Sequence, residues 1–195
     1  MKPRALFSSG PYQAREMRAD EVPQLQRFFE DNPIYFEAVN GQGPTAQEAQ
    51  QEFDDLPPAE MPFDKRWMLL VTDSEGEWVA MAGVLSNFLV PGVWHIGLFI
   101  VATRLHGTGV ARALYDAMEQ WIQSQGAQWM RLGAVEGWNK AENFWRKMGY
   151  TQVRTREAIA MGLRVNNVRV MVKPLTGGAI ADYLHRVKRD NPGAS

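Results

Sequence analysis

The sequence predicts a mixed α/β domain around a central twisted sheet of about seven strands. Three observations carry this. Residues Trp94–Val101 are nearly all apolar and rich in Ile, Leu, Phe and Val, the composition of a strand covered on both faces. A glycine turn and an amphipathic helix follow, then a second apolar run, Gln128–Val135; a helical crossover of this kind joins parallel strands. Upstream, Asp73-Ser74-Glu75-Gly76 separates two strand-like runs and reads as a hairpin turn, which makes its flanking strands antiparallel. The sheet is therefore mixed.

In chain order, residues 1–11 read as a leader and Tyr12–Met17 as a first strand. Asp20 is suited to capping a helix whose apolar stripe is Val22, Leu25, Phe28 and Phe29. The segment 31–44, DNPIYFEAVNGQGP, reads as a loop in which Tyr35 and Phe36 are core plugs or pocket walls. Thr45, with Glu48 three residues on, is a capping box for a second helix ending near Pro57-Pro58. Trp67–Thr72 and Trp78–Asn87 are the hairpin strands, and Pro91-Gly92 turns the chain into the strand at Trp94. The helix from Val110 places Leu114, Met118, Trp121 and Ile122 on one stripe, with Gly126 at its C-terminal end. Asn139 can cap a short helix with Ala141, Phe144, Trp145 and Met148 on one face, ended by Gly149. Thr151–Glu157 and Val168–Lys173 form a last pair of strands, and residues 175–195 are a tail with a helical stretch.

Bulk composition excludes several function classes. With 45% hydrophobic and 22% charged residues and a net charge of −1, the chain has an ordinary globular balance and no basic excess for nucleic acid. It has no cysteine, so no disulfide, thiolate nucleophile or thiolate metal site can form. The histidines lie scattered at 95, 106 and 185, which does not suggest a metal site. No secretory signal and no run of membrane-spanning length is visible, so the expectation is a cytoplasmic protein without a membrane partner.

The turn His106-Gly107-Thr108-Gly109 feeds directly into a helix. A helix start offers unpaired N–H groups and a partial positive charge, and glycines let the backbone approach an anion closely. The plainer alternative is a strand-to-helix turn that needs positive φ. Two nucleotide motifs fail here: no Lys follows Gly109 as a P-loop requires, and Arg112 stands where a dinucleotide fingerprint needs its third glycine.

The segment 101–119, VATRLHGTGVARALYDAME, resembles motif A of the GNAT N-acetyltransferase superfamily, Gln/Arg-x-x-Gly-x-Gly/Ala, with His106 in the Gln/Arg slot. A shifted register starting at Arg104 matches the letters better, but the helix pattern starts at Val110 and favours the first register. A second segment, 139–150, NKAENFWRKMGY, resembles the family's N-x-x-A-x-x-F-Y-x-x-x-G-F, with Ala141, Phe144, Gly149 and Tyr150 in register. It departs in two places. Asn139 lies one residue closer to Ala141 than the family asparagine, and Trp145 occupies a slot where many members carry a tyrosine acid. The element order fits the family from the first strand to about Pro174, which defines a GNAT domain over 12–174 with helices on both sheet faces.

The resemblance implies an acetyl-CoA-dependent N-acetyltransferase acting by direct transfer on a primary amine of a small molecule or peptide, a homodimer being one assembly it allows. It implies that His106, Gly107, Thr108, Gly109, Val110 and Ala111 hold the pyrophosphate of CoA. It further implies that Phe99, Ile100 and Val101 pair with the pantetheine arm, and that Asn139 and Trp145 line the CoA site. His95 is then the candidate general base, since members often carry a Glu or His six residues before the end of this apolar run. A neutral imidazole suits proton transfer near neutral pH. The alternative is a strand histidine satisfied by a hydrogen bond. Glu37 and Glu136 are candidate relays, and Tyr150 or water could protonate the leaving thiolate. Two rival functions remain: a CoA-binding sensor without catalysis, and an interaction domain that has lost the ligand.

Overall fold

The computed structural model describes residues 5–175 and 178–193. Its strands are β1 (Phe7–Ser9), β2 (Tyr12–Glu16), β3 (Lys65–Thr72), β4 (Trp78–Ser86), β5 (Val93–Val101), β6 (Trp129–Val135), β7 (Thr151–Met161) and β8 (Arg164–Pro174). Its α-helices are α1 (Val22–Asp31), α2 (Ile34–Asn40), α3 (Glu48–Asp54), α4 (Val110–Ser124), α5 (Asn139–Lys147) and α6 (Ile180–Arg186). All eight strands join one sheet in the order β1-β2-β3-β4-β5-β6-β8-β7. The β5–β6 pairing is parallel, with Val93 opposite Trp129 and Ile96 opposite Leu132, as the crossover through α4 requires. The other pairings are antiparallel.

Both faces are covered. Trp94, Ile96, Met130 and Leu132 pack on one face against Tyr115, Met118 and Ile122 of α4 and Trp145 of α5. Met68, Leu70, Leu98 and Ile100 pack on the other against Leu25 and Phe29 of α1, Phe36 of α2 and Ala49 of α3. His95 alternates with Trp94 and Ile96 along the strand and so belongs to the face away from α4 and α5.

Several local expectations are corrected. The sheet has eight strands, not seven: Phe7–Ser9, read as part of the leader, pairs antiparallel with β2. Residues 1–4 of that leader, and 176–177 and 194–195 of the tail, lie outside the described residues. Asp20 does not cap α1. It pairs with Arg18 at 2.9 Å, and the helix is entered through a 3-10 turn in which the Glu21 carboxylate accepts from the Arg18 N–H at 2.8 Å. The stretch read as a loop contains α2, started after Pro33 and stopped by Gly41 at φ +76°. Glu48 does reach back to the Thr45 N–H (3.1 Å) and hydroxyl (3.0 Å). Asn139 is the first residue of α5 rather than its cap; the turn before it is closed by the buried Glu142 carboxylate, which accepts from the Gly137 N–H at 2.7 Å. The last two strands run longer than expected, and their hairpin reaches α2: the Leu163 N–H donates to the Asn40 carbonyl at 2.8 Å, and Asn166 Nδ2 donates to the Val39 carbonyl at 2.8 Å.

Candidate active site

The site starts where the parallel pair comes apart. β5 and β6 pair only over Val93–Ile96 and Trp129–Leu132. Beyond that, Leu98–Val101 keep their partners on β4 but have none on the β6 side. At the point of separation the β4–β5 register shifts, with Gly83 opposite Leu98 and Val84 opposite Ile96, so Gly97 is the extra residue of a bulge. An open strand edge of this kind can pair with an extended ligand. The opening forms a cavity of about 730 Å³, floored by β5 and β6 and roofed by Ile34, Tyr35 and Val39 of α2.

The glycine turn closes one end of this cavity. Gly107 and Gly109 sit at φ +79° and +87°, a region glycine enters without a Cβ penalty. A Cβ built at either would meet nothing within 4 Å, so the space in front of the turn is open. Gly109 is the N-terminal cap of the 15-residue α4, whose first N–H groups therefore face that space. His106 ties the turn to the sheet. Its Nε2 donates to the Val101 carbonyl at 2.9 Å, while its Nδ1 accepts from Lys140 Nζ at 2.9 Å.

At the opposite end, where the strands begin to part, His95 and Arg131 stand side by side as register partners. His95 Nδ1 is 3.2 Å from the Arg131 carbonyl and 3.3 Å from Arg131 Nη1, and its ring stacks on Phe88 with centroids 4.7 Å apart. The carbonyl calls for a proton on Nδ1 and the Arg131 Nη1–H for a lone pair there; only the first tautomer leaves Nε2 as an acceptor on a ring that lines the cavity. Burial, reinforced by the Arg131 charge, pushes the His95 imidazole down to about 3. Arg131 is itself buried and paired with buried Asp190 from beyond α6, at 2.7 and 3.1 Å. The Tyr183 hydroxyl also donates to Asp190, at 2.6 Å. Burial favours a neutral Asp190 carboxyl, but the bonds from Arg131 and Tyr183 outweigh it and hold the carboxyl below its ordinary value.

Of the residues singled out in the sequence, His95, Phe99, Ile100, Val101, His106, Gly107, Ala111 and Trp145 share this cavity's wall. Thr108, Gly109 and Val110 complete the turn just behind it. Asn139 does not line the cavity; Lys140 and Asn143 of the same helix do. Trp145 is a core residue as well as a wall, packed on Phe99 and Tyr115. Tyr150 lies behind it, buried, accepting from the Tyr115 hydroxyl at 3.2 Å and absent from the wall, so it cannot reach a leaving thiolate. Glu37 is also off the wall, and Glu136 is paired with Arg169 at 2.8 Å.

Sequence reasoning missed three contributors. Asn32 accepts from the Thr103 N–H at 2.6 Å and so locks the end of α1 to the loop after β5. The Thr103 hydroxyl, on the cavity wall, is buried without a hydrogen-bond partner among the described residues. Arg156 of β7 also lines the cavity. Only the Asn32-Pro33 pair carried a local signal, as a helix stop.

Among the described residues no helix is long and apolar enough to cross a membrane, and no group of three or more His, Cys, Asp or Glu could hold a metal. The profile of the acetyltransferase (GNAT) family matches residues 24–150. No curated protein matches the sequence. Among solved structures, the chain is similar to a GCN5-related N-acetyltransferase from Kribbella flavida, at 21% identity and TM-score 0.61, covering 85% of this chain and 99% of that one. It is similar to an acetyltransferase from Thermus thermophilus at 19% identity and TM-score 0.62, covering 84% and 97%. It is also similar to a spermidine N-acetyltransferase from Vibrio cholerae at 12% identity and TM-score 0.64, covering 85% and 96%. The likeness to these structures is one of fold, while the profile spans the glycine turn, the split pair and α5. The chain belongs to the acetyltransferase (GNAT) family, whose members use acetyl-CoA.

Proposed function

We propose that this protein transfers an acetyl group from acetyl-CoA directly to a primary amine of a small molecule or peptide. The observation that carries the reading is the joining of two features in one cavity: a positive-φ glycine turn at the start of α4 and an unpaired β5 edge leading from it to His95. The donor set fits CoA. Backbone N–H groups at 107–111 suit a pyrophosphate, and the free edge of Phe99, Ile100 and Val101 suits an amide-bearing arm that adds to the sheet as a strand would.

When bound, acetyl-CoA supplies a thioester carbonyl open to attack by the amine nitrogen. The chain's own part is to orient and to move a proton. The β5 edge holds the carbonyl near the bulge at Gly97, where a backbone N–H can stabilise charge developing on its oxygen. His95, held neutral, is the wall group placed to accept the proton released by the amine, through Nε2 in the tautomer that donates Nδ1–H to the Arg131 carbonyl, and burial makes it a weaker base than a free imidazole. Absence of cysteine leaves no thiolate to carry the acetyl group, which supports direct transfer. Solvent protonates the departing thiolate, since Trp145 has no acidic hydroxyl. Free-thiol release from acetyl-CoA across an amine panel tests the reading: amine-dependent release supports it, and CoA binding without release would instead assign a sensor.

A further inference from the structure

We propose that the acceptor is a small amine carrying an oxyanion, of the amino-acid or phospho-amine class, with Arg156 as the residue that recognises the anion. This rests on the acetyltransferase reading and narrows its substrate. Arg131, Lys140, Lys147 and Arg156 line the cavity, and among the described residues no Asp or Glu does. A cavity so lined repels a polycation and attracts an anion.

The four cations are not equivalent. Lys147, the last residue of α5, is exposed and offers a point charge rather than a planar fork. Lys140 is bonded to His106 at the glycine-turn end, where the phosphates of CoA are expected. Arg131 spends two guanidinium nitrogens on Asp190 and turns the third to His95. Arg156 belongs to neither end. It stands opposite Val168 on β7, with β8 between it and β6, two strands away from the split that would take the CoA arm. It has no ion-pair partner among the described residues. Its charged surroundings are the guanidiniums of Arg189, Arg131 and Arg154 and the single carboxylate of Asp190, which already serves Arg131 and Tyr183. Arg156 is exposed to solvent, and partial desolvation together with those neighbouring cations pulls it below its ordinary value. A guanidinium without a partner presents a planar fork that matches a carboxylate or phosphate. An amine of a short anionic molecule docked there would extend back toward His95 along the cavity floor.

The experiment measures acetyl-CoA turnover with matched pairs: each of the twenty amino acids beside its carboxamide, O-phosphoethanolamine beside ethanolamine, and spermidine as the polycation. The carboxamide amine is the less basic member, so any preference for the carboxylate has to come from the protein. The expected result is at least about a tenfold higher kcat/KM for the anionic member of some pair, as an arginine–oxyanion bond would give. The amino acids and O-phosphoethanolamine distinguish carboxylate from phosphate. Arg156→Ala should abolish that preference through KM, and Arg156→Lys should restore part of it, with CoA affinity by calorimetry unchanged in both. Thermal shift of the CoA-loaded protein with the same pairs gives a second readout, in which only anionic members should stabilise. Equal or better turnover of the amides, ethanolamine or spermidine overturns the inference while leaving acetyl transfer standing. A preference that survives Arg156→Ala, or no stabilisation by any anionic member, also overturns it.

Discussion

The guanidinium Nη1 of Arg131 lies 3.3 Å from Nδ1 of His95, across the parallel pairing of β5 and β6. A fixed cation beside a largely buried ring keeps that ring neutral, and His95 is pushed down to about 3. Its unprotonated form therefore persists throughout the neutral range, but so low a value makes the ring a far weaker base than the ordinary imidazole expected from the sequence. A histidine-ring titration by NMR should show His95 neutral down to at least pH 4. His95→Gln should lower kcat by about 10²-fold with CoA affinity retained. Full rate in the Gln variant would make the ring structural. Because His95 does not titrate near neutrality, its own protonation should leave no acid limb near pH 7; an acid limb there that the His95→Gln variant lacks would contradict the neutral ring.

Gly109 at φ +87° has open space around its missing Cβ, so a side chain there meets conformational cost and intrudes where a phosphate would lie. Gly109→Val should weaken CoA binding by about tenfold or more, read by calorimetry (a loss of about 1.4 kcal/mol), with the far-UV spectrum retained. Unchanged affinity would remove the glycine turn from the CoA site.

What the sequence revealed depended on how local each signal was. The β5–turn–α4–β6 unit was legible because apolar runs, glycines and a helical stripe sit within one short stretch, and the parallel β5–β6 pairing followed from the crossover alone. The seven-residue α2 was hidden between Pro33 and Gly41, too short for periodicity to show. β1 was hidden because an edge strand of three residues, Phe7–Ser9, carries no alternation to read. The outer half of the β7–β8 hairpin is largely exposed and polar, so it lacks a core pattern. His95 could be picked out on its strand, but its neutral state could not, because that depends on Arg131, 36 residues away, and on Asp190, 59 residues beyond Arg131. Arg156 offered no motif; its place depends on β8 lying between β6 and β7.

Arg131 and Asp190 form a buried pair that joins the tail to the sheet. Asp190→Asn leaves the guanidinium without its counter-charge and should cost about 3–5 kcal/mol of stability at pH 7 by urea unfolding. The sign of the pH dependence follows from the carboxyl's depressed value. Its stabilisation is present above the unfolded carboxyl value of about 3.9 and is lost as pH falls through the lower folded value. The gap between wild type and Asp190→Asn should therefore narrow only in that acid range. Equal stability of the two at pH 7 would show that the pair contributes nothing net.

Gly162, at φ +55°, brings the β7–β8 hairpin onto α2: a Cβ there would lie 2.6 Å from Asn40 Cβ and 2.8 Å from the Asn40 carbonyl. Gly162→Ala should lift the hairpin from the helix that carries Tyr35 and Val39 of the cavity roof. The expected outcome is a raised KM for the acceptor with unchanged CoA affinity. A loss of CoA affinity instead would mean that the hairpin supports the other end of the cleft.

The most direct measurement incubates the protein with acetyl-CoA and then adds amine, following free thiol and the intact-protein mass together. Direct transfer predicts no acetyl adduct on the protein before the amine, then thiol release matched one for one by N-acetylated amine. An acetylated protein that discharges to the amine, or bound CoA with no thiol released by any amine, would contradict direct transfer in this cleft.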